Sequence, residues 1–241
     1  MKIFRISFLV FSIFLITYAV SFAQPNVKFF DDEAAFNNTC GGLAFEDFED
    51  TNIPPLAFAF CFPVLSPLNS LTDNDCYSPG ALIPGFSLTP SSFVMGLSTP
   101  PQNGLTNVAV GGSSGNVQTI ITFAEDVSAV GMVLVNQSPA ITNAGGISVF
   151  GIGGAFLGTA TVNLTSANGH FLGIQTNHPI SRIEIETLEI TNGSTLMYEL
   201  SFGQCEFLTN VPTLSEWGLI AMAGVLGIVG FMVIRRRKVT A

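Results

Sequence analysis

The sequence predicts an all-β exported domain, an antiparallel sandwich or barrel, between two apolar chain ends. Short runs rich in β-branched residues recur through the middle of the chain, and Gly, Asn, Pro and Ser separate them every 8 to 15 residues. This spacing is typical of antiparallel all-β domains, whereas a βαβ fold would place helical patterns between the strands. The only helical candidate in this region is one short segment, 31–38.

The first 23 residues predict a secretory signal peptide. Lys2 and Arg5 give a positive start, residues 6–20 form an uncharged apolar run, and Ser21-Phe22-Ala23 places small residues at the −3 and −1 positions of a cleavage site. These are the three parts of a signal peptide. We therefore expect cleavage before Gln24. The alternative is an uncleaved anchor, for which this apolar run is short.

The exported domain, 24–208, has one predicted helix and a series of predicted strands. The helix covers Asp31–Asn38, where acidic residues precede Ala-Ala-Phe. The strands cover 116–123, 129–135, 146–150, 156–162 and 180–187. The segment Thr51–Gly115 holds nine of the thirteen prolines, and only GFSLT (85–89) and SFVMGL (92–97) predict strands in it. We expect the rest of that segment to be a long loop.

The last strand of the domain contains the sequence LMYELSFG. Successive side chains in a strand point to opposite faces. Tyr198, Leu200 and Phe202 are therefore predicted to share the core face, with Glu199 and Ser201 on the outer face.

An apolar run near the C-terminus predicts one transmembrane helix, 217–234. Trp217 to Ile234 is a stretch of 18 uncharged residues, about 27 Å long as a helix, close to the hydrocarbon thickness of a bilayer. Cations beside a span stay on the cytoplasmic side, which predicts a basic cytoplasmic tail over 235–241. These cations are Arg235, Arg236, Arg237 and Lys238. Residues 209–216 then form a linker; the alternative to a span is a buried core helix.

The four cysteines predict two disulfides in an oxidising compartment. Four cysteines allow three connectivities, of which Cys61–Cys76 is the local one. Cys40 would then pair with Cys205 and connect the beginning of the domain to its end. A zinc site is the competing interpretation, but the sequence has no CxxC and both histidines lie far from the cysteines.

The exported part is strongly acidic. Between residues 24 and 210 only Lys28 and Arg182 oppose sixteen Asp and Glu residues, which gives a net charge of about −14. Such a surface repels nucleic acids and anionic polymers. We therefore exclude a nucleic-acid partner.

An enzymatic function receives little support from the sequence, and we predict no catalytic residues. A glycosidase needs two carboxyl groups across a cleft. The residues that could supply such a pair are Glu46, Glu49, Glu184 and Glu199. Gly111–Gly115 reads GGSSG and matches the nucleophile-elbow pattern, but that elbow requires a following helix and here a strand is predicted. Ser113 is therefore interpreted as a turn residue.

Several segments resemble known families. FFDDEAAF, GGAFLGTATV, HPISRIEIE and LMYELSFG are similar to the jelly-roll-type domain of bacterial surface proteins with PEP-CTERM-like tails. This resemblance implies an antiparallel jelly-roll-like β-sandwich. The phrase VPTLSEWGL, the apolar run and RRRK resemble the IPTL-CTERM sorting signal, whose motif here comprises Val211, Pro212, Thr213, Leu214, Ser215, Glu216 and Trp217. Such tails imply an exosortase-like sorting protease as a partner.

The resemblance of the domain to jelly-roll-type surface proteins also implies a structural calcium site. Calcium is the one cofactor that we consider. In similar domains a glutamate of the first strand and an acidic residue near the last strand hold Ca²⁺, for which carboxylate oxygens are suitable ligands. The corresponding residues here are Glu46 and Glu199, while Tyr198 stands where the family carries Asp. The alternative is that the EDFED cluster, 46–50, is a solvated acidic edge that discourages strand aggregation.

Together these observations predict an exported, C-terminally sorted protein with a non-catalytic binding or structural domain. The precursor would be held in the inner membrane, and the mature protein would lie at the cell surface, in the outer membrane or outside the cell. Surface polysaccharide or matrix is the expected partner. The alternatives are a permanent single-pass membrane protein with an acidic ectodomain and a carbohydrate-active enzyme that uses Glu and Asp pairs.

Overall fold

The computed structural model describes residues 25–63, 65–101, 104–112, 117–137, 143–164, 169–188, 193–206, 218 and 220–226. The chain divides into two compact units, Met1–Phe207 and Leu208–Ala241. The predicted signal peptide, the motif 211–217 and the cations 235–238 lie outside the described residues. Gly218 and residues 220–226, which belong to the predicted span, are helical. In the parts of the chain that are described, we find no helix long and apolar enough to cross a membrane.

The first unit is built from one antiparallel sheet, which confirms the predicted all-β class. Its strands are β1 (Val27–Phe30), β2 (Ala44–Glu46), β3 (Phe58–Cys61), β4 (Phe86–Pro90), β5 (Met95–Ser98), β6 (Ala109–Gly112), β7 (Thr119–Asn136), β8 (Asn143–Gly151), β9 (Phe156–Leu164), β10 (His170–Thr187) and β11 (Thr195–Gly203). The order across the sheet is β3-β5-β6-β11-β7-β10-β8-β9. In addition, β1 pairs with β10, β2 with β11 and β4 with β7.

Two strands, β7 and β10, are 18 residues long, and each pairs with different strands at its two ends. The beginning of β7 pairs with β4 and with the end of β10, whereas the end of β7 pairs with β11 and with the beginning of β10. The register of β10 shifts between Gln175 and Arg182, an irregularity of the kind that bends a strand. Side chains from both ends of β7, Ile121 and Met132, belong to a single core. Ile183 of β10 and Leu200 of β11 belong to the same core.

The segment between residues 51 and 115 differs from the prediction. It contains four strands, β3 to β6, of which β3 and β6 were not predicted. The sequence of β6 is AVGG, whose glycines lower its strand propensity, and β3 is a four-residue strand between prolines. In addition, one strand, β7, covers the region where two were predicted. An 18-residue strand exceeds the runs of four to eight residues on which strand prediction relies, and the four-residue strands lie at the lower limit of that range.

Helix α1 (Glu33–Thr39) confirms the predicted helix and packs onto the sheet through one ring. The Asp32 carboxylate caps the helix by accepting a hydrogen bond from Ala35 N at 2.6 Å. The fully buried Phe36 ring lies against Gly131 of β7 and Gly173 of β10, which are direct register partners. A Cβ at Gly173 would stand 2.5 Å from the Phe36 ring, so both glycines are needed to accommodate the ring.

The disulfides are Cys40–Cys205 and Cys61–Cys76, the two pairs that the sequence favoured. Cys40 follows the end of α1 and Cys205 follows the end of β11. The longer disulfide therefore joins the first and last elements of the unit. Cys61 ends β3, so the shorter disulfide attaches this strand to the loop that precedes β4.

Tyr198 departs from the predicted alternation of β11. Tyr198, Leu200 and Phe202 are all buried, but Tyr198 belongs to a separate small cluster with Leu105 and Leu196. The register of β11 against β7 shifts between Met197 and Glu199. This bulge places Tyr198 on the face opposite Leu200, so the prediction that the three share one face is wrong.

Candidate functional site

Glu46 is a buried carboxylate at the end of β2. Its Oε1 atom accepts a hydrogen bond from Phe48 N and its Oε2 atom accepts one from Ile83 N, both at 2.8 Å. Only 4 % of Glu46 is exposed. Its register partner is Leu200 of β11, so its side chain lies on the core face of the sheet. The carboxylate thus joins the end of β2 to the Pro-rich segment that precedes β4.

Burial controls the ionisation around this carboxylate. Burial raises the pKa of Glu46, although its two backbone hydrogen bonds act in the opposite direction, and Asp47 and Asp50 raise it further. Burial, with the nearby carboxylates of Glu46 and Glu49, also raises the pKa of Tyr77 well above its ordinary value. The protonated Tyr77 hydroxyl donates to the carbonyl oxygen of Phe48 at 3.2 Å. This is a polar network inside the core.

The EDFED cluster alternates between buried and exposed residues only as far as Glu49. Glu46 and Phe48 are buried, while Asp47, Glu49 and Asp50 are exposed. The strand itself ends at Glu46, and Phe48 has a φ of 60°, in the left-handed region that bulky residues rarely adopt. The buried network of Glu46 holds this turn.

Glu199, the second predicted calcium ligand, lies on the other face of β11. It lines a small hollow of about 60 Å³ with Glu33, Phe45 and Ser201. Burial raises the pKa of Glu199, and the charges of Glu33 and Asp47 contribute. Because neighbouring residues of a strand face opposite ways, Glu199 points away from the face that Leu200 shares with Glu46.

The two predicted calcium ligands therefore do not converge on one point. Both Glu46 oxygens accept backbone hydrogen bonds. Within the described ranges, no group of three or more His, Cys, Asp or Glu residues could hold a metal ion. For the expected calcium ion, held by Glu46 and Glu199, the structure supplies no assembled ligand set among these residues.

The larger concave feature is an open groove of about 450 Å³ between β1, β9 and β10. Phe29, Val162 and Leu172 supply apolar surface. The polar residues that line it are Asp31, Thr161, Asn163 and His170. Sequence reasoning missed this groove because its parts are far apart in the chain: Asp31 was assigned to a helix start, and His170 had no local partner. An apolar surface beside hydroxyl, amide, carboxylate and imidazole groups suits a polar, uncharged ligand.

The other carboxylates considered for catalysis have separate partners. Glu49 accepts a hydrogen bond from Val108 N at 2.8 Å. Glu184 forms an ion pair with Arg182 at 3.1 Å, and the Arg182 guanidinium lies 4.4 Å from the centre of the Phe150 ring. Ser113 lies outside the described residues. Asp31 is the carboxylate that contributes to the groove.

Comparison with known families identifies the C-terminal segment. Residues 209–238 match the IPTL-CTERM motif, as the resemblance of VPTLSEWGL, the apolar run and RRRK indicated. The match covers the tail and leaves the β domain outside it. No curated protein matches the chain.

Proposed function

We propose that this is an exported protein that is delivered to the cell surface by its C-terminal segment and that carries a jelly-roll-like, non-catalytic binding domain. The observation that carries this proposal is the IPTL-CTERM match over residues 209–238. Two disulfides in a strongly acidic domain support export, because disulfides persist in oxidising compartments.

Each part of the tail has a distinct role in this proposal. After cleavage of the signal peptide before Gln24, the apolar helix 217–234 holds the precursor in the inner membrane. The helical residues 220–226 support this role, since Ile220, Met222, Val225 and Leu226 are exposed apolar side chains. The cations 235–238 keep the C-terminus in the cytoplasm. The motif 211–217 then stands outside the bilayer, where an exosortase-like protease reads it.

The groove between β1, β9 and β10 is the binding site that we propose for the mature domain. Sugar rings combine apolar C–H faces with hydroxyl groups. Phe29 can contact the former, and Asp31, Asn163 and His170 can hydrogen-bond the latter. A neutral surface polysaccharide is therefore the proposed ligand, because the net charge of about −14 repels polyanions.

The sorting role is tested by replacing Pro212, Thr213 and Leu214 with Ser and Gly residues. We expect the precursor to accumulate in the inner membrane with its tail intact, since the span and the cations are unchanged. The matched control replaces Val239, Thr240 and Ala241, which lie just beyond the matched segment. Cell fractionation and intact-mass measurement follow both variants. Normal mass and surface display of the first variant would leave the tail as a permanent anchor.

A further inference from the structure

An aromatic patch lies on the solvent side of the edge strand β3. It comprises Phe58, Phe60, Phe62, Leu65 and Phe93. The Phe60 ring centre lies 5.1 Å from that of Phe58, 6.2 Å from that of Phe62 and 6.0 Å from that of Phe93. Leu65 N donates to the carbonyl oxygen of Phe93 at 2.8 Å, which connects the last two members. Four of the five side chains are 40–53 % exposed, and Phe58 is half-buried.

The backbone beside this patch is available for pairing. β3 has β5 on one side and, among the residues that the structure describes, no strand on the other. Thr99 N donates to the Ala57 carbonyl oxygen, and Ala57 N donates to Thr99 Oγ1, so the backbone of Ala57 faces β5. Because backbone groups alternate in direction along an antiparallel strand, those of Phe58 and Phe60 face away from β5. The Phe60 carbonyl oxygen already accepts a hydrogen bond from Phe62 N at 3.1 Å, so pairing with another strand rests on the Phe58 groups and on Phe60 N. An exposed edge of this kind is a template for another strand.

Backbone strain at two positions indicates that the patch is not a by-product of folding. Leu65 has a φ of 60° and Phe93 a φ of 62°. Bulky side chains are disfavoured in this left-handed region, which glycine adopts freely. Glycine would therefore suit the local backbone better at both positions, and the exposed apolar side chains need another explanation. Strained residues of this kind cluster at functional sites.

The charge distribution indicates what covers the patch. Between Asp50 and Glu125 the only charged residues are Asp73 and Asp75, although the exported part as a whole carries about −14. The patch side chains carry no charge, and the two exposed carboxylates of this segment, Asp73 and Asp75, precede Cys76, which is bonded to Cys61 of β3. A second copy of the chain is repelled by the acidic remainder, and the neutral patch is where it can approach.

We propose that two copies of this chain associate through β3, which pairs antiparallel with its symmetry mate so that the aromatic patches pack together. An antiparallel edge contact is two-fold symmetric, as an interface between identical subunits requires. Prolines at positions 54, 55 and 63 flank β3 and limit the pairing to its few residues, which fixes the register.

The size of the patch indicates a weak, reversible dimer. Half-exposed aromatic rings present roughly 100 Å² each, so the patch offers about 400 Å² per copy. Contiguous apolar patches of this size on a monomer are often functional. An interface of roughly 800 Å² in total lies at the weak, transient end of specific contacts, so we expect dissociation in the micromolar range.

The experiment is sedimentation of the full-length chain in detergent over a range of micromolar concentrations. We expect a reversible monomer–dimer equilibrium for the wild type. Phe60→Glu places two carboxylates across the two-fold axis and should weaken association at least about tenfold. The matched control is Phe156→Glu, because Phe156 is an exposed phenylalanine on β9, at the other end of the sheet order. This control should associate like the wild type.

A second variant separates association from folding. Phe93→Gly removes a patch side chain and relieves the left-handed strain at the same position. We expect weaker association together with a melting temperature equal to or above that of the wild type. A wild-type chain that stays monomeric throughout, or one that dimerises unchanged in Phe60→Glu and Phe93→Gly, would overturn the proposal. In the first case the patch belongs to a foreign apolar partner, and in the second the contact lies elsewhere in the chain.

Discussion

Protonation of the buried Glu46 carboxylate couples folding stability to pH. Its folded-state pKa is raised above its ordinary value of 4.5, so the folded chain binds this proton more tightly than the unfolded chain. The contribution of Glu46 to stability is therefore fully present below pH 4.5 and is lost as pH rises through the raised pKa. Above that pKa the ionised Glu46 side chain stays buried, because Phe48 N and Ile83 N donate hydrogen bonds to its carboxylate.

We predict that Glu46→Ala lowers the free energy of unfolding, because it leaves two amide hydrogens without an acceptor, each at a penalty of about 1–3 kcal/mol. The difference from the wild type should widen as pH falls from neutral toward 4.5. Urea titrations across this pH range measure it, with Glu125→Ala, which removes an exposed carboxylate of β7, as the control. Parallel pH profiles for wild type and Glu46→Ala would contradict the raised pKa.

Calcium addition tests the other role proposed for Glu46. Because both carboxylate oxygens already accept hydrogen bonds and Glu199 lies on the opposite face, we predict that neither Ca²⁺ nor a chelator shifts the melting temperature. A ligand that binds only the folded state would raise it. A calcium-dependent rise in the wild type that Glu46→Ala abolishes would restore the calcium assignment.

The sequence predicted little of this network. The sequence singled out the EDFED cluster, as the source of a calcium ligand or as a solvated acidic edge, but it did not predict the burial of Glu46. The hydrogen bond from Ile83 N to Glu46 could not be predicted from the sequence. Ile83 is 37 residues away, and the contact depends on how the Pro-rich segment folds back. The bulge at Tyr198 was equally invisible, since a register shift depends on the partner strand.

The docking of α1 gives a prediction for the helix and the strands beneath it. Gly131→Ala would bring a Cβ within 2.9 Å of the Phe36 ring and 2.5 Å of Ser201 Oγ. We expect a loss of about 1–3 kcal/mol of stability, as for other overpacked cores. Chemical denaturation measures it. The control is Gly158→Ala in β9, where the added Cβ meets its neighbours at 3.5 Å or more; an equal loss in both variants would show that Phe36 is not the cause.

Removal of either disulfide should lower the free energy of unfolding, and the two losses should differ. Cys40–Cys205 spans 165 residues and Cys61–Cys76 spans 15. Cross-linking restrains the unfolded chain by about 3 kcal/mol for the short loop and about 5 kcal/mol for the long one. Paired Cys→Ala variants in urea titrations should therefore rank in that order. A larger loss from the short link would mean that native contacts of the 61–76 loop, and not chain entropy, dominate.

Strands could be predicted where the sequence has an alternating or β-branched pattern. They could not be predicted where pairing with neighbouring strands, and not local sequence, makes a segment extended. The region of β10 from Ile180 onward was predicted from its β-branched residues, whereas β6, with the sequence AVGG, is a strand because β5 and β11 flank it. The same holds for β3, whose register comes from β5. Tertiary pairing outweighs weak local propensity at both places.

The proposed export predicts a defined mature N-terminus. The Ser21-Phe22-Ala23 site should be cleaved, so the mature protein should begin at Gln24 or its cyclised form. N-terminal sequencing of surface-localised protein checks this. Retention of Met1 would replace the single-span precursor with a chain anchored at both ends.

The sequence was most informative about the tail and least informative about the groove. A sorting signal is contiguous, so VPTLSEWGL, the apolar run and RRRK can be recognised together, and residues 209–238 match the IPTL-CTERM motif. The groove combines Asp31, Asn163 and His170, which only the pairing of β1 with β10 and the path of β9 bring together. Its ligand therefore had no linear signature.

The scarcity of cations makes the mature domain a poor substrate for trypsin-like proteases. Lys28 and Arg182 are the only two basic cleavage positions between residues 24 and 210, and 153 residues separate them. Both lie in strands and stack on the rings of Phe30 and Phe150. A digest at basic residues would leave Cys40, Cys61 and Cys76 in one fragment, so disulfide mapping needs a protease that cuts at aromatic or acidic residues. In a habitat rich in secreted trypsin-like enzymes, the same scarcity would prolong the lifetime of the β domain.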